Sequence, residues 1–148
     1  MTETVDLTAA AQAIALAQGV VDTGFETLKA AGGADVHQVV AYDLSHAASA
    51  LATAKSMLDY GAKGPAEANL AAAFIADAVA ELGAKLVGRE ALFGVESNWA
   101  APAAEFLSTY RDPKFLASLA NVQGPRHLDS DFEPVSYTHL TLPTKRIV

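Results

Sequence analysis

The chain has 148 residues, about half of them hydrophobic and much of that alanine, with a net charge of −7 and no cysteine. That length suits one domain better than two, and the acidity opposes phosphate backbones and anionic lipid, so neither nucleic acid nor a membrane surface is an expected partner. Without cysteine there are no disulfides and no thiolate chemistry, which fits a reducing cytoplasm.

The opening MTETVDLTAAAQ is acidic and lacks the basic stretch of a secretory signal. No segment is apolar and charge-free for long enough to span a bilayer. Ala-rich composition with scattered charge favours closely packed helices.

The first predicted helix covers about 6–31. Leu7, Ala10, Ile14, Ala17, Val21, Phe25 and Leu28 step by threes and fours into one apolar stripe. Gly19 and Gly24 interrupt it, and each either weakens the helix by about 1 kcal/mol or admits a close neighbour. Gly32 and Gly33 end it. Asp35 is the expected N-cap of a second helix, with Gln38 three residues later as in a capping box. Val36, Val40, Leu44, Ala47, Leu51, Ala54 and Leu58 form its stripe, which stops at the glycines 61 and 64.

Pro65 suits the first turn of a third helix. Its predicted stripe is Leu70, Phe74, Ala78, Leu82 and Leu86, widened by Ile75 and Val79, with Phe74 central. Glu81 and Lys85 have the spacing of a favourable exterior pair. Gly88 or Gly94 ends this helix, and residues 93–101 read as a looser stretch. Pro102 opens a fourth helix through Phe106, Leu107 and Tyr110. Asp112-Pro113 breaks it, and Phe115, Leu116 and Leu119 make one more short helix. Helices of matched length joined by short connections predict an all-α, up-and-down bundle of three long helices plus shorter C-terminal helices.

The predicted helical domain is 1–122. Gly124-Pro125 marks a linker over 123–134, and the residues of 135–148 break with all that precede them. The run VSYTHLTLPT back-translates as GTC TCT TAT ACA CAT CTG ACG CTG CCG ACG, which resembles a transposase adapter used in preparing sequencing libraries. The segment 135–148 therefore reads as a non-native tail, and neither Tyr137 nor His139 carries functional weight.

Chemistry-bearing residues are sparse. His37 and His46 are nine apart, which does not place a metal pair on one helix face, and His127 stands alone. Asp43 and His46 are close enough to touch, in a structural role. Glu67, Asp77, Glu81 and Glu90 lack the Glu-x-x-His spacing of a carboxylate-bridged metal site and read as a solvated face. Tyr42, Tyr60, Phe74 and Trp99 read as core or inter-domain contacts. Gly32-Gly33 follows a helix, so it opens no dinucleotide-binding turn. The residues supply no catalytic, cofactor-binding or metal site.

A resemblance adds to this. HQVVAYDLSHAASALATAKSMLDYGAKGPAEANLAAAFIADAVAELGAKLVGREALFGV (37–95) resembles the N-terminal extension of a group of bacterial acyl-CoA dehydrogenases. STYRDPKFLASLA (108–120) and GPRHLDSDFE (124–133) resemble the join between that extension and the catalytic core. Within the family, methylsuccinyl-CoA dehydrogenases carry such an extension. The resemblance implies a cytoplasmic, homo-oligomeric flavoprotein that dehydrogenates an acyl-CoA thioester with FAD. It implies a glutamate that takes the α-proton, and an electron-transfer flavoprotein that accepts the electrons. The family's flavin- and substrate-binding segments would follow Glu133, so no catalytic or cofactor residue is carried onto this chain, which by itself is expected to be inactive and to hold no FAD. The helical domain would then be a fragment truncated near Glu133, with its own missing core as partner. A free-standing helical interaction module is the alternative.

Overall fold

The computed structural model of the protein describes residues 5–121. The linker at 123–134, the segment 135–148 and His127 lie outside them. The described residues form helices joined by turns, with no strand among them. The order is α1 (Leu7–Ala30), α2 (Gln38–Gly61), α3 (Pro65–Leu86), α4 (Glu90–Phe93), a 3-10 turn (Ala101–Ala103), α5 (Ala104–Tyr110), α6 (Pro113–Ser118) and a final 3-10 turn (Leu119–Asn121).

Helix α1 starts where Asp6 can satisfy its first free amides. The Asp6 carboxylate accepts from the backbone N–H of Thr8 at 2.9 Å and of Ala9 at 3.2 Å. It ends at Gly32 and Gly33, both with positive φ (117° and 86°), a backbone glycine adopts without a side-chain clash. The Gly33 N–H there donates to the Leu28 carbonyl at 2.9 Å.

Three contacts fix the helix directions. Leu7, at the start of α1, lies beside Gly61 at the end of α2, while Gly24 near the end of α1 faces Leu44 near the start of α2. Gly61 also lies against Ala68 and Ala71 in the first turns of α3. The three long helices therefore run up, down and up, as the short connections predict.

The core is built from Ile14, Val21 and Leu28 of α1, Leu44 and Leu51 of α2, and Ile75, Val79, Leu82 and Leu86 of α3. Phe93 of α4 and Phe106 of α5 close it at the side. Fully burying one such aliphatic or aromatic side chain contributes about 1.5–3 kcal/mol. Alanines at 10, 17, 54, 71, 72 and 76 are wholly buried and allow close helix–helix approach. No described helix is long and apolar enough to cross a membrane.

Several expectations need correction. The buried face of α3 centres on Ile75, Val79 and Leu82, whereas Leu70 and Phe74 are 38% and 39% exposed. Phe25 is likewise exposed on α1. Asp35 does not cap α2: the helix begins at Gln38, preceded by His37 with no side-chain cap bond, and Val36 lies outside it and exposed. The two glycines delay the helix, because the chain is still turning through residues 31–36. The stretch after α3 is less loose than expected. Glu90–Phe93 forms one helical turn that drives Phe93 into full burial and ends at Gly94, whose φ is 68°. Asp112 both breaks the chain and caps α6, accepting from the N–H of Lys114 at 2.8 Å and of Phe115 at 3.2 Å.

Candidate functional site

The polar residues picked out in the sequence are dispersed by the fold, and most serve it. His37 sits between α1 and α2, its Nε2 3.2 Å from the Ala31 carbonyl, which can accept a ring N–H there. Asp43 does not pair with His46. Its Oδ2 accepts from Nη2 of Arg89 at 2.9 Å, joining the first part of α2 to the loop after α3. The same Arg89 nitrogen donates to the Lys85 carbonyl, and the guanidinium lies 5.7 Å from the Phe93 ring centroid. His46 instead stacks at a tilt on Tyr42, with ring centroids 4.3 Å apart.

The four acids read as a solvated face do not behave alike. Glu67 is only 5% exposed. Its carboxylate folds back over Gly64, where a Cβ would lie 2.5 Å from Oε2. Gly64 is the N-cap of α3 and Glu67 is three residues on, so the pair occupies the positions of a capping box with the cap side chain replaced by hydrogen. Proline at 65 and glutamate at 67 were the available signals. Asp77 accepts from Nε of Arg111 at 3.1 Å and so fastens the end of α5 to α3. Glu81 and Lys85 line a shallow groove of about 260 Å³ between α2 and α3, with His46, Ser49 and Thr53 opposite. Among the described residues no three His, Asp or Glu side chains gather to hold a metal ion.

An open groove of about 490 Å³ lies between the start of α1 and α5. Ala13 and Phe106 lie along it, and Asp6, Gln12, Glu105 and Tyr110 supply its polar walls. The Asp6 N–H points to the Tyr110 hydroxyl at 3.4 Å. Tyr110 is itself held between Phe106 and Phe115, at centroid distances of 4.9 and 5.1 Å. This groove does not fit FAD or an acyl-CoA. Its lining includes two carboxylates and no basic side chain, and Asp6 already occupies the amides of the α1 terminus.

The aromatics divide. Trp99 and Tyr110 pack partly buried against the core, Tyr60 is half-buried, and Tyr42 is 64% exposed. Among the described residues the arrangement is a helical scaffold with exposed apolar side chains. Comparison with protein-family models, with curated proteins and with solved structures finds no match to this chain.

Proposed function

We propose that this chain is the N-terminal helical domain of an FAD-dependent acyl-CoA dehydrogenase, acting as a shell on the catalytic core and not as a catalyst. The whole enzyme would carry out α,β-dehydrogenation of an acyl-CoA thioester, with methylsuccinyl-CoA a substrate that the resemblance suggests. An electron-transfer flavoprotein would take up the electrons. Flavin and catalytic base would both belong to the core, as the resemblance implies.

The observation that carries the reading is the position of Leu70 and Phe74. Both are exposed on α3, one turn apart, and the next turn holds Asp77. Asp77 in turn grips Arg111, which lies in the 108–120 segment that resembles the join to the core. An apolar strip beside the join is where a core tethered through that segment would sit. Expressing the enzyme from the uninterrupted frame tests this. A flavoprotein bleached by an acyl-CoA supports the reading, and a colourless product indifferent to acyl-CoA refutes it. In the latter case the free-standing interaction module takes its place.

A further inference from the structure

The chain after α4 is fastened more sparsely than the three long helices. Phe93 is wholly buried, and Gly94, with φ at 68°, lies against Thr27 of α1. Beyond that anchor residues 95–100 carry no helix, and the 3-10 turn, α5 and α6 follow. Among residues 95–121 only Ala103 and Phe106 are buried, and α6 buries nothing. The backbone hydrogen bonds after Val95 are local, as from the N–H of Trp99 to the Glu96 carbonyl and from that of Ala103 to Ala100.

Two polar contacts tie this stretch to the long helices. The Asp6 N–H meets the Tyr110 hydroxyl at 3.4 Å, longer than a usual hydrogen bond. The Arg111–Asp77 pair has side chains 51% and 59% exposed, so water screens it. The α1 surface facing α5 is formed by Ala9, Ala13 and Leu16, mostly small side chains that close little apolar area. The long helices, by contrast, bury Ile14, Val21, Leu44, Leu51, Ile75 and Val79 in one core.

We infer that residues 95–121 form a hinged strap, which opens from the bundle as a unit while α1, α2 and α3 stay folded. Few buried apolar contacts and exposed, local backbone bonds set a segment at the low-stability end of a fold. The turns between Gly94 and Ala101 are the hinge, and Phe106 is the latch. Trp99, whose ring rests on α3 at Gly83, rides on the strap. Opening uncovers Ala13 and Leu16 on α1 and the Gly83 face of α3. Helices of seven and six residues do not hold alone in water, so α5 and α6 melt once released. The inference does not rest on the flavoenzyme reading.

Native-state hydrogen exchange on the full chain tests this. The amides of Leu107 to Arg111 should exchange at least about a hundredfold faster than those at the centres of α1, α2 and α3, as a local opening does against global unfolding. Urea below the unfolding midpoint should speed the bundle amides steeply and the strap amides little, because the local opening exposes little surface. The variant Phe106→Asp should hold the strap open. It should keep a cooperative thermal transition and lose no more helical circular dichroism than the seven residues of α5 and six of α6 contribute. The emission of Trp99, the single tryptophan, should shift to the red. Strap and bundle amides that exchange at one rate with one urea dependence overturn the proposal. A Phe106→Asp chain that unfolds as a whole, or whose emission does not move, does so equally.

Discussion

Arg89 and Asp43 form an ion pair of 2.9 Å across 46 residues, with side chains only 34% and 15% exposed. Arg111 and Asp77 form another, at 3.1 Å, but both side chains are more than half exposed. The two should differ in worth. Arg89→Ala leaves a largely buried Asp43 carboxylate without its donor and also removes the contact with Phe93, so it should destabilise by about 2 kcal/mol. Arg111→Ala should cost less than about 1 kcal/mol, because water screens that pair already. Urea unfolding of the two variants checks the order, and equal losses would contradict it.

Phe93→Ala should be among the most damaging single changes, at about 3–5 kcal/mol, since the ring is wholly buried. Phe74→Ala should cost less than about 1.5 kcal/mol in this chain, because much of that ring already meets solvent. Thermal unfolding measures both, and the reverse ranking would mean that the face of α3 is wrongly assigned.

Two helical glycines give opposite expectations. A Cβ at Gly19 meets nothing within 4 Å, so Gly19→Ala should stabilise by about 0.5–1 kcal/mol through helix propensity. A Cβ at Gly61 would lie 2.9 Å from Ala71 Cβ and 3.2 Å from Leu7, at the junction of all three long helices. Gly61→Ala should destabilise by about 1–3 kcal/mol by forcing that junction apart. Melting temperatures moving in opposite directions is the expected result.

These comparisons show where the sequence speaks plainly. On α1 and α2 most of the larger aliphatic residues share one face, with Phe25, Val39 and Tyr42 off it, so Ile14, Val21, Leu44 and Leu51 were legible as core. On α3 alanine and larger apolar residues run almost all round, and two stripes compete. The one through Leu70 and Phe74 has the bigger side chains, but the one through Ile75 and Val79 faces the bundle. The start of α2 was misread because Asp35 and Gln38 have capping-box spacing, whereas the preceding glycines keep the chain turning past them. Phe93, beside Gly94, looked like loop because one helical turn is too short to show a period. Glu67 was missed because its burial depends on a cap made by glycine. No reaction centre was legible in the sequence.

The acid-lined groove of α1 and α5 should not hold flavin. The purified chain should therefore show no flavin absorbance after incubation with FAD and gel filtration. Stoichiometric yellow colour in the protein peak would contradict this.

Whether the bundle belongs to a flavoenzyme is decided by the uninterrupted reading frame of the source DNA. The account predicts several hundred further codons beyond Glu133, enough for more than one ordinary domain. They should encode a helical domain, a β-domain that covers the flavin and a second helical domain with a glutamate base. A stop codon within about twenty residues of Glu133, too few for any further domain, would contradict it.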